Sequence, residues 1–158
     1  MRGRGFCGPV LENEKEGGRP ARPQKAMGTF ATLSEAAEYF TGDRFATENG
    51  MAVTGIGEDW ASCELTLTDR HKNANGGIMG GVMFTLADFA FAVCVNQIHR
   101  PTVAQQVSIN YLNAPKGTKL IATARCKKNG RSSAVVNVDV TDDTGRDIAQ
   151  FVGTGFKL

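Results

Sequence analysis

Asp88 is the only charged residue in the run 82–95, where every other residue except Thr85 is apolar. A helix apolar on all sides is a buried helix. A bilayer span takes about 20 such residues, so this run is too short and reads as a core helix. Burying a lone carboxylate costs several kcal/mol unless it is hydrogen-bonded or neutralised, which makes an acid in this setting a candidate for chemistry. Its chemistry would be that of a general base on water or of a nucleophile. The alternative is an acid that caps a neighbouring backbone or pairs across a dimer.

Just upstream stand Gly76, Gly77, Gly80 and Gly81. Glycines let the chain turn tightly and leave the first unpaired amides of a following helix open to a ligand, at the positive end of the helix dipole. Such amides can hold a developing oxyanion. Gly80 and Asp88 are eight residues apart, about 12 Å along a helix at 1.5 Å per residue. They cannot touch one atom within one subunit, so either a substrate spans the gap or a second subunit brings its own Asp88 to this turn. Asn73 and Asn75 lie in the same polar loop; Asn73 is the candidate orienting amide and Asn75 a turn former. His71, with nothing in the sequence to orient it, is expected to be a solvated loop histidine.

The run Asn73, Gly76, Gly80, Gly81, Leu86, Ala87, Asp88, followed by Ser-Ile-Asn-Tyr-Leu at 108–112, resembles the PaaI-type hotdog-fold acyl-CoA thioesterases. The likeness covers the chain from roughly Trp60 to the C-terminus. The family pattern is an Asn, a His-Gly-Gly starting six positions later, and an acid eight residues after the first glycine of the pair; this sequence keeps the spacing but has Met79 in the His position. The resemblance implies an α+β hotdog fold, an antiparallel sheet wrapped around a long central helix, assembled as a homodimer or homotetramer. It also implies a short, medium or aromatic acyl-CoA as substrate, without metal or cofactor. Carried over residue by residue, Asp88 is base or nucleophile, Gly80 the oxyanion donor and Asn73 the orienting group, with Gly81 and Met79 at the substrate.

Some relatives place a Ser or Thr near the acid, and the corresponding positions here are Ala92 and Ala104. Thr85, Gln105 and Gln106 are the candidates to substitute. A catalytically idle binder of acyl-CoA or another ligand would show the same losses. Coenzyme A carries phosphates, for which Lys127, Lys128 and Arg131 around Asn129-Gly130 are candidate contacts; a solvated, aggregation-blunting turn is the competing reading. Phe84, Phe89 and Phe91 are candidates for the acyl site or simply core.

With 158 residues the chain fits one domain, placed at 27–158. Residues 1–26 are rich in Gly, Arg, Pro and Glu without apolar pattern, and are expected to form a disordered, dispensable arm. The net charge of +2 comes from that arm, since beyond it 12 basic residues face 13 acidic ones. A near-neutral domain without a basic stripe argues against nucleic acid as partner. Four scattered cysteines, none in a Cys-x-x-Cys pair, read as free core thiols. No apolar leader or membrane span is evident, and the expected compartment is the cytoplasm.

A helix is expected from Thr32 or Ser34 to Gly42, then a connector over 43–49 and strands over 51–56 and 60–67. After the central helix, period-two patterns predict strands over 102–112, 118–128, 131–140 and 146–157. Asn129-Gly130 predicts a type I′ hairpin turn.

Overall fold

The structure, a computed structural model, describes residues 28–158, so the expected N-terminal arm and Cys7 lie outside the described residues. Helix α1, Leu33–Tyr39, begins at Thr32, whose hydroxyl accepts from the Glu35 N–H at 3.1 Å. A turn of 3-10 helix, Phe40–Gly42, closes it. The stretch expected as a plain connector contains a short helix α2, Arg44–Glu48, ended by Asn49 and by Gly50 at φ +91°.

Strands β1, Met51–Ile56, and β2, Trp60–Thr66, precede the long helix α3, Gly80–Ile98. Then come β3, Thr102–Tyr111, β4, Lys119–Asn129, β5, Ser133–Asp142, and β6, Asp147–Lys157. All neighbours pair antiparallel in one six-stranded sheet of order β1-β2-β4-β5-β6-β3. This is the α+β hotdog architecture expected from the sequence: the sheet curls around α3 and leaves β3 as a free edge.

The inner face explains why the helix can sit there. Ala61 and Cys63 of β2, Ala122 and Ala124 of β4, and Ala134 and Val136 of β5 are all buried, small enough to admit a helix carrying Leu86, Phe89, Phe91 and Val95. On β6 the approach is closer still. A Cβ on Gly153 would stand 2.5 Å from the Phe91 ring, and one on Gly155 would stand 2.8 Å from Thr102 Cγ2 and 3.3 Å from Val95 Cγ1. The apolar surface of α3 is thus core surface, as its composition implied.

The β4–β5 turn differs from expectation. Asn129 stays in β4 and pairs with Ala134, the Gly130 N–H donates to the Ser133 carbonyl at 2.8 Å, and no residue of the turn has positive φ. A type I′ turn needs positive φ at both central residues. A bulge between Cys126 and Lys128 shifts the register, and Lys157 Nζ donates to Asn129 Oδ1 and, at 2.7 Å, to the Gly130 carbonyl, tying the end of β4 to β6.

Candidate active site

The loop before α3 is built by its own backbone. Lys72 and Ile78 form a β-bridge, the Asn73 N–H donates to the Gly77 carbonyl at 2.7 Å, and the Gly76 N–H donates to the Asn73 carbonyl at 3.0 Å. Gly76 takes φ +82°, a conformation open to glycine at no steric cost. Asn73 Oδ1 accepts from the N–H groups of Asn75 at 2.9 Å and Gly77 at 3.2 Å. The amide oxygen is therefore committed to the turn, which leaves the exposed Nδ2 as the group able to orient a ligand.

His71 corrects the expectation of a solvated histidine: it is only 4% exposed. Its Nδ1 accepts from the Thr68 N–H at 3.0 Å, so the proton sits on Nε2, which donates to the Asn49 carbonyl at 3.1 Å. With both nitrogens used the ring is a structural tie, and its own carbonyl accepts from the Met79 N–H at 2.9 Å. Thr68 and His71 form a capping box with His in the place usually held by Glu or Gln, so the common sequence pattern did not announce it.

Helix α3 then starts at Gly80 without a side-chain cap from Met79. Among the described residues the Gly80 and Gly81 amides find no acceptor, as expected of the first helical N–H groups. The Tyr111 hydroxyl, at the end of β3, donates to the Gly80 carbonyl at 3.1 Å, and a Cβ on Gly80 would meet the Tyr111 ring at 3.3 Å. Met79 is half exposed and lies along Gly81, where a Cβ would stand 3.3 Å from Met79 Cε.

Two turns along, half-buried Asp88 faces a cavity of about 610 Å³ between α3, the 3-10 turn after α1 and the start of β3. No protein group donates to its carboxylate among the described residues. Burial pushes its pKa up, and the neighbouring negative charge of Asp43 adds to the rise. Ala92 and Ala104, the two alternative positions at which the resemblance leads one to expect a hydroxyl, line this cavity with Asp88, so neither supplies the acid with such a partner. Of the candidate substitutes, Thr85 donates its hydroxyl to the Gly81 carbonyl at 2.8 Å. Gln105 falls at a β3 bulge and is exposed, as is Gln106. Phe91 lines the cavity, Phe89 borders a smaller one on the other side of Asp88, and Phe84 packs edge-on against Phe151.

Asp43 is the residue that sequence reasoning missed. It shares both cavities with Asp88 from 45 positions away, and no local pattern links the two.

Within one chain these parts form two groups. Asn73, Met79, Gly80 and Gly81 sit at the N-terminal end of α3, Asp88 and Asp43 along its middle. Lys128 and Arg131 are exposed on the β4–β5 turn. That turn adjoins Lys157, which pairs with Thr102 at the start of β3, whereas Gly80 meets Tyr111 at the other end of that strand. Ten extended residues put roughly 30 Å between the two ends. Among the described residues no cluster of His, Cys, Asp or Glu could hold a metal ion. Cys63 and Cys94 are buried and Cys126 half-buried, all as free thiols; burial pushes Cys94 up to about 12.

Comparison with known proteins gives this geometry a setting. The thioesterase superfamily model matches residues 75–149, which include the glycine turn and Asp88. A Deinococcus radiodurans protein named for an inferred esterase activity is 31% identical over 70% of this chain and 76% of its own length. Acyl-coenzyme A thioesterase PaaI of Escherichia coli is 27% identical over 78% of this chain and 89% of its own length. The solved E. coli PaaI structure superposes with a TM-score of 0.70 at 25% identity, covering 80% of this chain and 96% of that one. A hypothetical thioesterase of Streptococcus pneumoniae, solved with coenzyme A, is 26% identical with a TM-score of 0.68, covering 74% of this chain and 94% of that one. The chain belongs to the thioesterase superfamily, as a PaaI-type hotdog-fold thioester hydrolase.

Proposed function

We propose that this protein hydrolyses a short, medium or aromatic acyl-CoA, in a homodimer whose sites each join Asp88 of one subunit to the glycine turn of the other. The observation that carries this reading is the Asp88 carboxylate: half-buried, unbonded and beside a cavity of about 610 Å³. Ionised, it activates water or attacks the thioester carbon. The carbonyl oxygen then gains charge, and the free Gly80 amide of the partner subunit donates to it. One such donor is worth roughly 3 to 4 kcal/mol of barrier. Asn73 Nδ2, on the same subunit as that Gly80, orients the water or the carbonyl. Lys128 and Arg131 offer contacts for the phosphates of coenzyme A.

Two features support the shared site. Gly80 and Asp88 are about 12 Å apart on one rigid helix. And β3 is a free edge whose exposed residues include Val103, Tyr111 and, just beyond it, Leu112, the kind of edge that a second β3 strand covers. Release of free thiol from a panel of acyl-CoAs, compared between wild type and Asp88→Asn, tests the reading. Hydrolysis that survives Asp88→Asn intact rejects it.

A second reading is favoured by one observation, that alanines occupy both hydroxyl positions around Asp88. It is a protein that binds acyl-CoA without turning it over. Tight binding of acyl-CoAs with no thiol release from any of them selects this reading.

A further inference from the structure

We propose that Asp43 makes the site selective by charge, admitting acyl groups that carry no negative charge beyond the thioester and turning away acyl groups that end in a carboxylate. The inference rests on the acyl-CoA reading above for the kind of ligand, and adds which acyl groups fit.

The cavity beside Asp88 has Tyr39, Phe40 and Phe91 on its apolar walls and Asp43 as a second carboxylate. Among the described residues no Lys, Arg or His lines it. The nearest cations in sequence are not among its lining residues: Arg44 pairs with Glu48 at 2.6 Å, and the Arg100 guanidinium stacks over the Phe30 and Tyr39 rings at 4.6 and 4.9 Å. Asp43 is held firmly by its backbone. Its N–H donates to the Phe40 carbonyl at 3.1 Å, and its carbonyl accepts from the N–H groups of Ala46 and Thr47 at 3.1 and 3.0 Å. Its carboxylate, by contrast, caps nothing, although it stands at the N-terminus of α2 where an Asp side chain commonly does so. A carboxylate on a fixed backbone, unused by the fold and lining the same space as Asp88, acts on whatever enters that space.

Charge decides which end of the ligand enters. The phosphates of coenzyme A are repelled by a cavity with two carboxylates and no cation, so the acyl end is the part that fits. A terminal carboxylate on that acyl group meets the same repulsion, with no basic group to offset its loss of water.

The test uses the full chain and two unreactive thioethers: S-butyl-CoA, and the same thioether with a terminal carboxylate. Calorimetric binding to wild type should favour the neutral ligand by about 10-fold or more, and Asp43→Asn should shrink that ratio by about 5-fold, while Asp43→Glu retains it. Because Asp43 is exposed, raising salt from about 0.05 to about 0.5 M should also narrow the wild-type ratio. This second measurement checks that the preference is electrostatic, and Asp43→Ser, which also removes the charge, stands in for the Asn variant if that one misfolds. Equal affinity of wild type for the two thioethers, a ratio indifferent to loss of the Asp43 charge, or no binding of either ligand overturns the proposal. Turnover of butyryl-CoA and succinyl-CoA separates it from the hydrolase reading: charge-selective binding without hydrolysis of either rejects hydrolysis and upholds the selectivity.

Discussion

At the N-terminal end of α3 the turn is tied by backbone and amide hydrogen bonds from Asn73, Gly76, Gly77 and Met79, and the Gly80 and Gly81 amides at the helix start are left without an acceptor among the described residues. Two turns along the same helix, Asp88 has no hydrogen-bond or ion-pair partner among the described residues and stands near a second negative charge. The first region has its geometry fixed by main-chain bonds, so it accommodates Met79 where the family pattern has His but has little room for a Cβ at Gly80. The second depends on a side chain whose environment opposes its ionisation. Substitution there should change chemistry while sparing the fold.

Asp88→Asn, which keeps size and removes the base, is expected to lower kcat by at least about 100-fold. The same variant should melt about 3 °C higher at neutral pH, because an unpaired half-buried charge disappears. The sign follows from the raised pKa of Asp88. The folded chain holds this proton more tightly than the unfolded one, so the stability Asp88 contributes is full below its unfolded pKa and is lost as pH rises through the folded value. The advantage of Asn over Asp therefore grows with pH across that window and then levels off. An Asn variant less stable than wild type at neutral pH would mean that the acid serves the fold.

Gly80→Val should be nearly as severe, since any Cβ presses on the Tyr111 ring and displaces the amide; ~1 Å of misplacement can cost about 100-fold. Mixing this variant with Asp88→Asn under conditions of subunit exchange should restore about a quarter of wild-type activity, because half the dimers then hold one intact site. A mixture as inactive as its parents despite proven exchange would place both halves of the site in one subunit.

At Asn73 two roles can be parted. Asn73→Asp keeps the oxygen that caps the loop and removes the Nδ2 donor, and is expected to cost about 10-fold in kcat with little change in Tm. Asn73→Ala should lose both activity and turn stability. Equal kcat for wild type and Asn73→Asp would leave Asn73 a turn former only. The acid limb of the pH profile should follow ionisation of Asp88, and Asp43→Asn should move that limb to lower pH by removing a neighbouring negative charge. A limb that stays put would show that the two carboxylates act independently.

Met79→His is the smallest change expected, a gain of a few-fold in kcat, because an imidazole can donate a hydrogen bond in the turn and a thioether cannot. A lower kcat on every substrate would instead mark Met79 as a wall of the acyl pocket.

What could be read from the sequence follows the reach of each signal. The glycine pair and Asp88 were legible because their relation is a spacing on one helix, and the strands because period-two alternation survives in Leu120, Ala122, Ala124 and in Val136, Val138, Val140. The Asn129-Gly130 turn was misread because a bulge three residues upstream and Lys157 on another strand decide its register. Burial of His71 depends on the Asn49 carbonyl, 22 residues back in the chain. Asp43 reaches Asp88 only when the sheet has closed over α3, and nothing local to residues 40–46 announces it.

Gly153 and Gly155 let the Phe91 and Val95 side chains sink to the level of the β6 backbone, and those two residues also line the cavity beside Asp88. In the proposed reading, where the acyl chain enters that cavity, the seating depth of the helix sets the room left for it. A methyl group added at Gly155, which would stand 2.8 Å from Thr102 Cγ2 and 3.3 Å from Val95 Cγ1, is then expected to shrink that room, so that the longest acyl chains are lost first and the shortest last. Chain-length preference would thus be retuned from the sheet, at a residue outside the cavity lining.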